Sequence, residues 1–337
     1  MKTFFHPDQL LHRPQSYFSR GQMRTPQEVP ERALKLVEGV KALGLKVTAP
    51  PDSGMKPLLA VHDIAYLRFL ESAHRRWLQV PEDWGAEVMS NVFVRERNAL
   101  RGILAEAARY LADGSCPVGE QTWRSAYWSA QTAVAGALEV LDGGQAYSLC
   151  RPPGHHARRD AAGGFCYLNN AAIAAQILRQ KYQRVVVLDT DMHHGQGIQE
   201  IFYDRADVFY VSIHGDTTNF YPAVCGFADE RGSGAGEGYN LNLPMPHGSV
   251  EAVFFERLDE ALAAVRGFEP DAVVLALGFD IYREDPQAKV AVSAEGFERL
   301  GKAVNRLSLP TLVVQEGGYH ISTLDSNLAR FFAGFQG

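Results

Sequence analysis

The segment Val185-Val186-Val187-Leu188-Asp189-Thr190-Asp191-Met192-His193-His194-Gly195 runs four apolar β-formers straight into two carboxylates and two imidazoles. A buried strand ending this way delivers metal ligands and proton-transfer groups to its carboxyl end, where open α/β sheets bind ligands. Asp191 and His193 stand two residues apart, so on extended backbone both project to one side with Met192 turned away. Asp280, which follows an apolar run over 272–277, is placed to supply a third ligand. Three protein ligands plus an open position is the catalytic arrangement for Zn2+. Two carboxylates and one imidazole make a harder donor set than three histidines, so Fe2+, Co2+ and Mn2+ also suit it.

Two other apolar runs end in groups of the same kind. Ser148-Leu149-Cys150 leads into Arg151-Pro152-Pro153-Gly154-His155-His156, a rigid turn that can point two imidazoles into a cavity. Beside a metal, an imidazole can take a proton from activated water and pass it to a leaving amine. Leu312-Val313-Val314 leads into Gln315-Glu316-Gly317-Gly318-Tyr319, whose phenol can donate to a developing oxyanion. The glycine pair reads as a hinge that swings this phenol over the site. Gly163-Gly164-Phe165-Cys166 suggests close backbone approach followed by an aromatic wall. Taken singly, Asp191 could cap the next helix while His193 packs, adjacent histidines are commonly surface decoration, and Tyr319 reads equally as an aromatic plug. Several apolar strands ending in His, Asp and Tyr point instead to an enzyme.

The elements that must position these groups follow from periodicity. Residues 27–43, 62–78, 121–141, 169–180, 251–266 and 294–306 read as helices, and 184–188, 208–213, 272–277 and 311–315 as strands. Strands alternating with helices of this length imply right-handed crossovers and a largely parallel sheet covered on both faces. No linker, charge block or repeat divides the chain, so 1–337 reads as a single domain. The long Gly-rich stretch 214–239 reads as a pocket wall or lid. Its glycine run at 232–238 sits outside a strand-to-helix turn and lacks a Lys-Ser/Thr ending, unlike a phosphate loop.

Lys plus Arg number 33 and Asp plus Glu 39, a net charge of −6 that disfavours nucleic acid and anionic membrane and admits a cationic small molecule. The N-terminus lacks a signal-peptide core and no apolar run approaches a membrane span, so the expected location is cytoplasmic. The four cysteines, with no CxxC pair, read as reduced thiols.

Five motifs together resemble the zinc-dependent histone deacetylase superfamily. They are Arg151-Pro152-Pro153-Gly154-His155-His156-Ala157, Gly164-Phe165-Cys166-Tyr167-Leu168-Asn169-Asn170, Asp189-Thr190-Asp191-Met192-His193-His194-Gly195, Leu277-Gly278-Phe279-Asp280 and Glu316-Gly317-Gly318-Tyr319. They keep the family's order over residues 146–320. The first 120 residues, with Val61-His62-Asp63 and Tyr66-Leu67-Arg68-Phe69-Leu70, resemble the acetylpolyamine amidohydrolase branch. The resemblance implies an α/β arginase–deacetylase fold, a single largely parallel multi-stranded sheet sandwiched between helices. It implies that Asp191, His193 and Asp280 bind zinc, that His156 is general base and then acid, and that His155 is its electrostatic partner. Asp189 would hydrogen-bond His155, and Tyr319 would polarise the scissile carbonyl. Gly164, Phe165 and Tyr221 would line the channel. A structural K+ or Na+ would sit at Asp189, Asp191, His193, Ser212 and Ile213, and a second at the carbonyls of Phe202, Arg205 and Val208. After His193-His194-Gly195 the family usually has Asp or Asn, whereas this chain has Gln196.

The expected reaction is metal-assisted removal of the acetyl group from acetylputrescine, acetylcadaverine or acetylspermidine, with protein acetyl-lysine as the rival substrate. An arginase-like ureohydrolase would need carboxylates for two bridged metals. A non-catalytic acyl-amine binding protein would not need both histidines and the tyrosine. Glu82, Asp83, Glu87 and Glu106 are the acidic candidates for a distal ammonium. The branch implies a homodimer, with an insert over 77–97, carrying Trp84 and Phe93, at the site mouth or the dimer interface.

Overall fold

A computed structural model describes residues 1–94 and 99–337. Eight strands form the main sheet: β1 (Lys2–Phe4), β2 (Val47–Thr48), β3 (Ala146–Ser148), β4 (Val185–Asp189), β5 (Val208–Gly215), β6 (Asn240–Met245), β7 (Ala272–Leu277) and β8 (Thr311–Gln315). Their order across the sheet is β2-β1-β3-β8-β7-β4-β5-β6, and every neighbouring pair is parallel.

The two-residue period of a strand divides its side chains between two cores. Val185, Val187, Val274, Ala276 and Val314 face one core, with helices Ile64–Trp77, Ile103–Tyr110, Thr122–Leu141 and Asn170–Leu178. Val186, Leu188, Val273, Leu275 and Val313 face the other, with helices Pro30–Ala42, Glu251–Phe268, Ala294–Asn305 and Leu324–Phe335. Continuous Val and Leu runs are what burial on both faces requires.

The strands read from periodicity lie where expected, and the helix ends shift by up to three residues. Strands β1, β2 and β6 and the helices Ile103–Tyr110, Gln196–Phe202 and Leu324–Phe335 were not read. The first two strands are too short to show a period, and the shorter helices too brief to separate from loop. Among the described residues no helix is long and apolar enough to cross a membrane, and all four cysteines are free.

Parallel pairing puts every strand's carboxyl end on one edge. Strands β3, β8, β7 and β4 are consecutive neighbours, so the segments that follow them (149–156, 316–319, 278–280 and 190–193) meet there. Topology thus gathers the candidate groups from four distant parts of the chain.

Candidate active site

Asp191, His193 and Asp280 converge: their ligand atoms all lie within 4.8 Å of one another, and all three residues are buried. His193 Nδ1 stands 3.3 Å from Asp191 Oδ1 and 3.1 Å from Asp280 Oδ2. Backbone donors orient both carboxylates. Gly317 N–H donates to Asp191 Oδ2 at 2.7 Å and Met192 N–H to Asp280 Oδ1 at 2.9 Å. Burial and the adjacent Asp191 charge push Asp280 up to about 8. His193 is pushed up to about 9, because its hydrogen bonds to both carboxylates outweigh the cost of burial. Asp280 and His193 therefore hold protons that a cation would replace, while the charges of His155 and His193 keep Asp191 ionised against its burial. This donor set fits a divalent ion of the Zn2+, Fe2+, Co2+ or Mn2+ type.

The two histidines of the Pro-Pro-Gly turn have opposite states. His155 Nδ1 faces Asp189 Oδ2 at 3.1 Å, and its Nε2 lies 3.7 Å from Asp191 Oδ1. Burial opposes its charge, but Asp191 and Asp189 outweigh it and push the ring up to about 10. His156, with its centroid 3.9 Å away, is held well below the ordinary value by burial and then by the charges of His155 and His193. One ring is an imidazolium and its neighbour a neutral base. Gln196, the departure from the family pattern, reaches the ring directly: its Oε1 lies 2.6 Å from His156 Nδ1.

Burial holds the Tyr319 phenol protonated, with a pKa well above its ordinary value, so it is a donor. The hinge reading of Gly317-Gly318 does not stand. Asp285 Oδ2 accepts from Tyr319 N–H at 2.6 Å and His320 N–H at 2.9 Å. Arg32 donates to the carbonyls of Gly318 at 2.5 Å and Glu316 at 2.7 Å, and its guanidinium lies 4.8 Å over the Tyr319 ring. Arg32 is itself fixed by buried Glu28, which it shares with Arg151. Gly317 is small because a Cβ there would sit 2.5 Å from Asp191 Oδ2 and 2.7 Å from Asp280 Oδ2. Close approach, not motion, requires it.

A cavity of about 250 Å³ opens above these groups, lined by His156, Gly164, Phe165, His193, Phe220, Tyr221 and Tyr319. Phe165, at φ 68°, meets Tyr319 edge-on at 6.1 Å, and Tyr221 meets His156 edge-on at 4.8 Å. Phe220 stacks on His193 at 4.8 Å. Tyr17 also lines the cavity, and Tyr221 OH donates to Asp113 at its wall; these two, with Phe220, Asp285 and Arg32, are not legible in the sequence, since each sits outside the strand-end motifs. Asp189, the last residue of β4, is the register partner of Ser212 within β5, with Ile213 next along that strand. Asp189 Oδ2 also accepts from Tyr210 OH at 2.9 Å.

The acidic candidates lie elsewhere. Glu82 accepts from Trp84, Asp83 from Gly85 N–H, Glu87 from Gln15 N–H and Glu106 from Arg76. The charged groups on the cavity's outer lining are Arg20, Arg24 and Lys289. No described residue of the segment read as an insert lines the cavity, and its residues 95–97 lie outside the described residues.

The histone deacetylase domain family matches residues 26–335. The chain is 69% identical to the acetylpolyamine amidohydrolase of Burkholderia pseudomallei, over 99% of this chain and 98% of that one. It is 41% identical to acetylpolyamine amidohydrolase 1 of Pseudomonas aeruginosa, over 100% and 99% respectively. Among solved structures, the acetylpolyamine aminohydrolase of B. pseudomallei superposes with a TM-score of 0.99 at 69% identity, covering 99% and 98%. The HDA15 HD domain superposes with a TM-score of 0.81 at 26% identity, covering 100% and 91%.

Proposed function

This chain belongs to the histone deacetylase family, and from that premise we propose that it hydrolyses N-acetylated polyamines to acetate and the free amine. The observation that carries the reading is one buried constellation: the Asp191, His193 and Asp280 cluster, the paired rings of His155 and His156, and Tyr319, gathered at one cavity.

Asp191, His193 and Asp280 would hold the metal. Bound there, a divalent ion supplies Lewis-acid polarisation of the acyl oxygen and lowers the pKa of water. His156 accepts the proton of the attacking water at Nε2 and returns it to the amine nitrogen as the C–N bond breaks. Tyr319 donates its hydroxyl proton in a hydrogen bond to the acyl oxygen as that oxygen becomes anionic. His155, anchored by Asp189, keeps a positive charge beside His156 and so restrains its basicity. Phe165 and Tyr221 flank the methylene chain, with Gly164 giving the backbone room between them.

Zinc is the metal of the reading, with K+ or Na+ at Asp189, Ser212 and Ile213 as a structural ion. The basic lining residues Arg20, Arg24 and Lys289 repel a polyamine's distal ammonium. We therefore place the compensating carboxylates on a second subunit, in a homodimer. Leu78, Trp84, Val92 and Phe93 are exposed apolar side chains on the segment read as the insert, which supports an interface there. Light scattering at micromolar concentration tests the dimer, and a monomer under turnover conditions counts against it. Kinetics on acetylputrescine, with Tyr319→Phe and His156→Ala beside wild type, tests the residue roles. Wild-type turnover by either variant overturns its assignment.

A further inference from the structure

Gln196 gives His156 an amide where a carboxylate would be self-sufficient. A carboxylate only accepts, so it fixes the adjoining ring nitrogen as N–H and leaves the far nitrogen as the base. An amide can present either end. Turned over, it would offer NH2 to His156 Nδ1, put the ring proton on Nε2 and leave nothing on the cavity side to accept a proton.

The structure shows what decides the orientation. Gln196 Nε2 donates to Tyr221 OH at 3.1 Å, and Tyr221 OH donates to Asp113 Oδ2 at 2.6 Å. The phenol's one proton is thus committed to a carboxylate, so towards Gln196 it can only accept. The amide must then turn NH2 to Tyr221 and Oε1 to His156, at 2.6 Å. Asp113 is a fixed terminus. Its Oδ1 accepts from Ser115 N–H at 2.8 Å and Ser115 OH at 2.5 Å, and its Oδ2 also accepts from Gly164 N–H at 3.2 Å. A Cβ on Gly163 would meet Asp113 Oδ2 at 3.0 Å and Tyr221 OH at 3.1 Å, so this loop's small residues make room for the contact.

We infer that Asp113 and the Tyr221 hydroxyl are positioning residues that act through Gln196 to hold His156 in the Nδ1–H tautomer. The inference rests on His156 being the proton-transfer group. It gives the Tyr221 hydroxyl a task separate from its ring's, which is to wall the channel. Sequence alone links none of these residues: they come from a helix-end loop at 113, a helix start at 196 and the long loop at 221.

The test uses the metal-loaded enzyme and three variants. Tyr221→Phe keeps the ring and removes the acceptor. Asp113→Asn lets the phenol turn its proton towards the amide. His156→Ala tests the underlying reading. The expected result for the first two is a kcat loss of about tenfold or more, bounded by the roughly 10² to 10⁴ that general acid–base catalysis supplies in full, with KM and bound metal unchanged. The ¹⁵N-labelled His156 ring should move from the Nδ1–H towards the Nε2–H NMR pattern in step with kcat. Wild-type kcat and an unmoved Nδ1–H signal in Tyr221→Phe or Asp113→Asn overturns the inference. So does a rise in KM alone, which would place the hydroxyl's action on the substrate. An active His156→Ala would instead sink the reading of His156 and leave the hydrogen-bond chain a structural feature. If Tyr221→Phe fails to fold, Asp113→Asn decides.

Discussion

Gly317→Ala isolates the geometry that holds the metal ligands together. Gly317 is not in the left-handed region, so alanine adopts its backbone without strain and the effect is steric. The new Cβ would stand 2.5 Å from Asp191 Oδ2 and 2.7 Å from Asp280 Oδ2, where ordinary contact begins at 3.4 Å. Each oxygen must therefore retreat by about 0.7–0.9 Å, several times the ~0.2 Å within which metal–ligand distances are held. The Gly317 N–H that orients Asp191 moves with them. Overpacking of this kind costs about 1–3 kcal/mol, and a cost borne by the ligand set corresponds to metal affinity weakened roughly 5- to 150-fold. Competition with a chromophoric chelator measures that affinity, and circular dichroism confirms an intact fold. Wild-type metal affinity in a folded Gly317→Ala would refute the reasoning and return Gly317 to the hinge role its sequence suggested.

Tyr319→Phe should lower turnover by about 10² to 10³, the usual cost of one oxyanion donor, with the metal retained; steady-state kinetics and metal analysis check it. Arg32→Gln leaves the Gly318 and Glu316 carbonyls short of donors and Glu28 with one guanidinium fewer, so urea unfolding should show a loss of about 1–3 kcal/mol. His62 is held down to about 4 by burial, and neutrality lets its Nε2 accept from Asn169 N–H at 2.9 Å. The unfolded chain binds that proton first, so the contribution is full above pH 6.5 and declines as pH falls to about 4. In metal-free protein, His62→Gln should flatten the stability profile across that window; a slope identical to wild type would exclude His62 as its source.

The strand-end groups were legible because chemistry follows directly after each buried apolar run. Asp191, His193, Asp280 and Tyr319 follow a strand's end almost directly, His155 and His156 follow one across the Arg-Pro-Pro-Gly turn, and parallel pairing brings adjacent strand ends together. Groups without such an address stayed hidden. Arg32 belongs to an amphipathic helix, where an arginine ordinarily faces solvent, and nothing local marks it as lying over Tyr319. Asp113 sits in a turn-like Asp-Gly-Ser, the usual setting for a solvated carboxylate. The Gly317-Gly318 hinge failed because a glycine pair reads as flexibility when the neighbours that crowd it, Asp191 and Asp280, are distant in sequence. Likewise, the acidic residues proposed for the ammonium carried charge but no position.

The most direct measurement is steady-state kinetics of the zinc-loaded enzyme on acetylputrescine, acetylcadaverine, acetylspermidine and an acetyl-lysine peptide, with Asp280→Ala as the control. Polyamine deacetylation predicts higher kcat/KM on the small amines than on the peptide, with turnover abolished in the control. Preference for the peptide would contradict the substrate assignment, and undiminished turnover by Asp280→Ala would contradict the metal site itself.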